Sequence, residues 1–164
     1  MLKFICVVIL VVSFSFTALA TTPEMLCRQI AQQEYPNDLK MQNYVYDKQL
    51  RAYYAMRDIS ENEIKQIAAN EYPNDYSMQK YVYEKQEAAY RYMETVEDLE
   101  VKQISINEYP RDYSMQKYVY DKQYAAKQYM GRVQKNDAVI KAISEYPNDY
   151  SMQQYVYNKA MAGR

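Results

Sequence analysis

The chain has 164 residues, a formal net charge of −1, and neither histidine nor tryptophan. The near-neutral charge argues against nonspecific nucleic-acid binding, which needs a basic surface. The missing histidine removes the Ser–His and Cys–His machinery of many hydrolases and a principal zinc ligand. We therefore expect no enzyme activity, no metal site and no cofactor.

Residues 1–20 have the features of an export signal. Met1–Lys3 supplies a positive start, Phe4–Phe16 is almost wholly apolar, and Ala18–Ala20 fits the small-residue pattern that a signal peptidase accepts. We predict cleavage between Ala20 and Thr21, and export to the periplasm or the extracellular medium. The alternative is an uncleaved membrane anchor, for which the apolar stretch is at the short limit. We expect membrane contact only through this segment before cleavage.

Cys27 is the only cysteine after the predicted signal, because Cys6 lies within it. An internal disulfide is therefore excluded in residues 21–164. Cys27 stands at an apolar helix position, which favours a buried thiol. The alternative is a dimer formed through Cys27.

Residues 21–164 are predicted to form a single repeat domain, because a block of sixteen residues recurs four times with identical spacing. Ten of its sixteen positions carry the same residue in all four copies, and each copy begins 37 residues after the last. Such a period is typical of one supersecondary unit repeated along the chain. The blocks are 34–49, 71–86, 108–123 and 145–160.

Each block opens with a helix end followed by a helix start. Tyr72 precedes Pro73, and proline disfavours the α conformation of the residue before it. Asp75 follows two residues later and is a good N-cap, since its carboxylate can accept from free backbone N–H groups. The predicted caps are Asp38, Asp75, Asp112 and Asp149.

A long helix is predicted after each cap. In the second block, Met78, Tyr81, Val82 and the stem of Lys85 fall at helical spacing. Ala89, Tyr92 and Met93 continue this apolar stripe. The predicted long helices run from about Asp38 to Met56, Asp75 to Met93, and Asp112 to Met130, with a last copy that ends near Met161.

A shorter helix is predicted before each block. Ser60–Glu63 has the form of a capping box, and Ile64, Ile67 and Ala68 form an apolar face. Thr95–Asp98 resembles a weaker start. The equivalent faces are Cys27, Ile30 and Ala31 in the first copy, and Val101, Ile104 and Ser105 in the third. In the fourth copy Ala138, Lys141 and Ala142 depart from the pattern, and Val139, Ile140 and Ile143 are an alternative, rotated face.

The predicted fold class is all-α, with tandem 37-residue helical-hairpin repeats forming a small α-solenoid or helical bundle. An extended rod of weakly packed units is the alternative. The short helices are too short to be stable unless they are packed.

The segment Asp75–Gln86 resembles a short element of small, uncharacterised exported bacterial proteins. That element typically has Trp before Pro or Gly, then Asp-Asp-Tyr, Met, Tyr-Cys and a Gln-Gln pair. Here Tyr72 stands in place of the tryptophan, Val82 in place of a cysteine, and Lys85-Gln86 in place of Gln-Gln. The resemblance implies a bacterial exported protein and brings no catalytic or ligand residues.

Tyrosine and glutamine side chains form a second stripe on each predicted long helix. Tyrosine combines flat apolar area with a hydroxyl, which suits recognition surfaces, and four copies would give a multivalent face. The alternative is that these residues pack between neighbouring units. The candidate binding residues are Tyr46, Tyr83, Tyr120, Tyr157, Gln42, Gln79, Gln116 and Gln153.

Two functions remain from the sequence. One is an exported, non-catalytic interaction or scaffold protein that binds an unknown protein or glycan at the tyrosine–glutamine face. The other is a structural or matrix protein with stacked or cross-linked tyrosines. Exposed rings at Tyr46, Tyr83, Tyr120 and Tyr157 would favour binding, and buried rings would favour a scaffold.

Overall fold

The described part of the chain, residues 22–163 of a computed structural model, is all-helical. It contains eight α-helices and no strand. The predicted signal at 1–20 and its cleavage site at Ala20–Thr21 lie outside the described residues. The helices are α1 Pro23–Glu34, α2 Leu39–Arg57, α3 Glu63–Glu71, α4 Tyr76–Thr95, α5 Leu99–Glu108, α6 Tyr113–Met130, α7 Asp137–Glu145 and α8 Tyr150–Ala162.

The four long helices begin directly after the four block aspartates. Asp75 has extended backbone angles, and its carboxylate accepts from the backbone N–H of Met78. Asp38, Asp112 and Asp149 have the same geometry. These side chains satisfy a donor that a helix N-terminus would otherwise leave free.

The Tyr-Pro pair makes a tight corner between each short helix and the long helix after it. Tyr72 is the C-cap of α3, with φ −131° and ψ 68°, which is outside the helical region. The backbone N–H of Asp75 then donates to the carbonyl of Tyr72 at 3.2 Å. One helix therefore ends and the next begins within four residues.

The short helices begin slightly later than the sequence indicates. Asn62, not Ser60, caps α3, and its side chain accepts from the N–H of Lys65. Asp98, not Thr95, caps α5. The predicted starts were therefore wrong by two or three residues, because several residues in each link can serve as a cap.

The long helices pack side by side in chain order: α2 against α4, α4 against α6, and α6 against α8. Each short helix packs against the long helix that follows it in the chain. Met93 of α4, Val101 of α5 and Tyr120 of α6 form one buried cluster, and similar clusters lie on either side of it. The core is thus a series of small clusters where three helices meet.

The buried face of the long helices differs from the predicted apolar stripe. Val82, Ala89 and Met93 are buried as expected, but Tyr81 and Lys85 are exposed. The buried face instead includes Gln79, Tyr83 and Gln86. The stripe was misplaced because the buried side of the helix carries polar glutamines, which a hydrophobic pattern excludes.

In the short helices, the first and last of the three predicted positions are buried in every copy, whereas the middle one is half-buried in α1, α3 and α5 and is the exposed Lys141 in α7. Ala138 and Ala142 are buried in α7, whereas Ile140 and Ile143 are exposed, so the alternative rotated face was wrong for those two isoleucines. Cys27 in α1 is fully buried as a free thiol, and burial raises its pKa. A disulfide to a second chain would require α1 to move away from α2.

A buried glutamine joins each long helix to the N-terminus of the next one. Gln86 donates through Nε2 to Asp112 Oδ1 at 3.0 Å, and its Oε1 accepts from the backbone N–H of Ser114 at 3.0 Å. Gln49 and Gln123 make the same pair of bonds to the following aspartate and serine, at 2.7–3.1 Å. We refer to this arrangement as the glutamine joint.

Aromatic contacts accompany each glutamine joint. The rings of Tyr53 and Tyr76 meet edge-on at 5.0 Å, and those of Tyr90 and Tyr113 at 5.2 Å. At the third joint Lys127 takes the place of the first tyrosine, with its Nζ 5.2 Å from the centroid of Tyr150. The contact is therefore kept by cation–π attraction where the aromatic pair is absent.

We predict that Gln86→Ala lowers the free energy of unfolding by about 1–3 kcal/mol, because it leaves buried polar groups of the next helix without partners. Guanidinium denaturation followed by circular dichroism measures this change. Gln128→Ala is the matched control, since Gln128 is an exposed residue of α6, and it should change stability by less than about 0.5 kcal/mol. Equal stability of the two variants would contradict the structural role of the joint.

Candidate functional site: an exposed tyrosine–lysine row

The four tyrosines proposed for a binding face pack inside the protein. Tyr83, Tyr120 and Tyr157 are buried, and Tyr46 is half-buried. Tyr83 lies in the cluster that contains Met56 of α2 and Ile64 of α3. The three buried rings pack between neighbouring helices, as the packing alternative expects, whereas Tyr46 borders a surface groove beneath Arg28.

The four candidate glutamines brace the proline corners. Gln79 donates through Nε2 to the carbonyl of Tyr72 at 2.7 Å, so that carbonyl accepts from both Gln79 and the N–H of Asp75. Gln42, Gln116 and Gln153 make the same bond at 2.6–2.7 Å. Gln79, Gln116 and Gln153 are buried and Gln42 is half-buried, and because each amide is bonded to a corner carbonyl these residues belong to the fold.

A different set of tyrosines faces solvent. Each has 58% of its surface exposed, and none of their hydroxyls makes a hydrogen bond within residues 22–163. They lie two positions before the buried tyrosines, on the opposite side of each long helix. They are Tyr44, Tyr81, Tyr118 and Tyr155.

An exposed lysine follows each of these tyrosines by four residues, one turn along the helix, so the two side chains share a face. Lys85 also borders the same groove as Tyr118 of the next block, and Lys48 borders the same groove as Tyr81. Tyrosines and lysines thus alternate across the long helices. The tyrosine–lysine row consists of Tyr44, Lys48, Tyr81, Lys85, Tyr118, Lys122, Tyr155 and Lys159.

Grooves with similar linings lie along this row. One of about 470 Å³ between α4 and α6 is bordered by Glu71, Tyr81, Lys85, Met115 and Tyr118. A groove of about 380 Å³ beside α8 presents the same residue types, which are Glu145, Tyr146, Met152, Tyr155 and Lys159. The surface therefore repeats an aromatic ring, a thioether, a cation and a carboxylate.

The lysines of the row have no ion-pair partner among residues 22–163. Two of the neighbouring carboxylates are engaged, since Glu84 pairs with Lys80 and Asp121 pairs with Lys117. The described contacts therefore assign the row no role in holding the fold. Its side chains remain free to meet a ligand.

The signal for this row was present in the sequence. Tyr44, Lys48 and their equivalents are identical in all four blocks, while adjacent surface positions differ, such as Asp47, Glu84, Asp121 and Asn158. Tyr81 was assigned to the apolar stripe because it lies three residues after Met78 and one before Val82. The spacing alone did not distinguish the two sides of the helix.

Comparison with protein-family models, curated proteins and solved structures gave no match. None of the helices in residues 22–163 combines the length and apolar character needed to cross a bilayer. Within the same residues, no three His, Cys, Asp or Glu side chains come together as a metal site would require.

Three other exposed tyrosines, Tyr54, Tyr92 and Tyr129, differ from the row because their hydroxyls are bonded. Tyr92 donates to Asp121 at 2.6 Å, and this bond, together with burial and the charge of Asp121, raises the pKa of Tyr92 to about 12. The bond's stabilising effect is complete below pH about 10, the ordinary tyrosine pKa, and is lost as pH rises through about 12.

We predict that the Tyr92 ring carbon signal in an NMR titration moves at pH about 12. Asp121→Asn should lower that midpoint, because the acceptor loses its charge. The signal that is missing from the spectrum of a Tyr92→Phe variant is the one that belongs to Tyr92. A midpoint for Tyr92 that Asp121→Asn leaves unchanged would contradict this origin of the shift.

Proposed function

We propose that the chain is an exported, non-catalytic repeat protein that serves as an interaction scaffold. In this proposal four tandem 37-residue helical-hairpin repeats stack as a small α-solenoid. Support comes from the starts of α2, α4, α6 and α8, which share one register relative to the blocks, and from the recurrence of the glutamine joint. Export rests on the sequence features of residues 1–20.

The observation that carries the proposal is the tyrosine–lysine row. Its tyrosines are exposed to the same extent in every block and form no bond within residues 22–163. Tyrosine is enriched at recognition surfaces, because its ring offers apolar contact area and its hydroxyl can form hydrogen bonds. A partner protein or glycan that contacts several copies would gain affinity from multivalency.

A structural or matrix role is the second candidate, because the buried tyrosines join neighbouring helices and the exposed ones are free for cross-linking. Tyr83, Tyr120 and Tyr157 pack in the three clusters where helices meet. Dityrosine fluorescence in material from producing cells would favour this candidate. Its absence, with retention that depends on the row, would favour the interaction scaffold.

We predict that replacing Tyr44, Tyr81, Tyr118 and Tyr155 by alanine abolishes retention of the protein on the envelope and extracellular material of producing cells. Variants with one or two replacements should show intermediate retention, since each copy contributes one contact. Sedimentation of the purified protein with that material gives the measurement.

The control is the double variant Ile140→Ala and Ile143→Ala, which removes exposed apolar side chains from α7, away from the row. The free energy of unfolding of both variants should differ from that of the original protein by less than about 0.5 kcal/mol per replaced site. Retention of the quadruple tyrosine variant at the level of the original protein would overturn the proposed role of the row.

A further inference from the structure

We propose that the ligand of the tyrosine–lysine row is an acidic polysaccharide whose carboxylates are spaced along the chain. This inference rests on the proposed function and adds the chemistry of the partner. It follows from the charge, the order and the repetition of the side chains in the row.

The charge of the row calls for an anion. Lys48, Lys85, Lys122 and Lys159 are exposed and lack an ion-pair partner within residues 22–163, while the carboxylates of Glu84 and Asp121 beside them are engaged. A free ammonium next to an accessible groove attracts carboxylate or sulfate groups. A neutral ligand would leave these four cations unused.

The wide spacing of positive charge along the row argues against a nucleic acid as the ligand. Each block contributes one lysine to the row, and Glu71 and Glu145 border the same grooves as Lys85 and Lys159. A nucleic-acid strand carries one charge about every 3.4 Å, so several of its phosphates would lie beside each groove, near those glutamates. An anion with separated charges can meet the lysines and avoid the glutamates.

The order of the row suits a chain of sugar rings. Tyr81 shares a groove with Lys48 and Tyr118 shares one with Lys85, and each tyrosine lies one turn before the lysine of its own helix. The flat face of the exposed ring can pack against the C–H face of a pyranose while the lysine meets a carboxylate. Tyr72 and Met115 add apolar surface to the groove that Tyr81 and Tyr118 border. Ring contact and charge contact therefore alternate.

Repetition favours a polymer over a single sugar. One exposed ion pair contributes little free energy in water, so one tyrosine–lysine unit binds weakly. Once one of the four units has bound a polymer, the other three units can bind the same polymer intramolecularly. Affinity should therefore rise steeply with the length of the polysaccharide until it spans the row.

The test measures binding of the purified protein to hyaluronan, a polysaccharide that carries one carboxylate per disaccharide. Expected results are binding that strengthens with chain length, weakens with added salt, and is lost on carboxyl-reduced hyaluronan. Replacing the four row lysines by glutamine should weaken binding about tenfold or more, since all four contacts are lost together. Replacing the four row tyrosines by phenylalanine should preserve binding, and by alanine should weaken it.

The matched control carries the same charge change away from the grooves of the row: Lys65→Gln, Lys102→Gln, Arg132→Gln and Lys135→Gln. An equal loss in this control would mean that net charge alone drives binding, which overturns the proposal. Equal binding to carboxyl-reduced hyaluronan, or tighter binding to single-stranded DNA, would overturn it as well. No binding to hyaluronan, with row-dependent retention on cell material intact, would reject the acidic polysaccharide and leave the proposed function standing.

Discussion

The structure depends on a glutamine side-chain amide that reaches from one long helix to the N-terminus of the next long helix. A helix N-terminus leaves backbone N–H groups free, and at each glutamine joint two side chains satisfy them. Asp112 accepts from Met115, while Gln86 accepts from Ser114 and donates to Asp112. These bonds form only when the two helices lie in one register. The aliphatic core favours close packing, and the polar joint selects which close packing occurs.

The two tyrosine sets show how position within a helix determines the role of one residue type. Tyr81 and Tyr83 are two residues apart, which is about 200° around an α-helix with 3.6 residues per turn. When one ring points into the core the other must point outward. Tyr83 packs in the same buried cluster as Met56 and Ile64, and Tyr81 is exposed to solvent. The same argument applies to each block, so the buried and exposed sets recur together.

The presence of tyrosines on opposite faces of each long helix explains which features the sequence predicts and which it does not. Helix content and the starts of the long helices follow from local chemistry, since Pro73 stops one helix and Asp75 begins another. The buried side does not, because Val82 lies between two tyrosines and is compatible with either face. The bonds of Gln86 identify the buried face of the helix, but the residues it bonds to are 26 and 28 positions away in the chain. A pattern of hydropathy treats such a glutamine as a surface residue, and its partners emerge only from the packing of long helices.

The separation of joint and row has a consequence for recognition. The residues that join the long helices are buried or bonded within the chain, and the described contacts assign no such role to the outward tyrosines and lysines. Surface positions beside them have changed between blocks, as Asp47, Glu84 and Asn158 illustrate, yet Tyr44, Lys48 and their equivalents have not. Packing does not account for this identity. In the proposed scaffold it has a physical reason: contacts that are individually weak must be equivalent and regularly placed before their free energies add along one ligand.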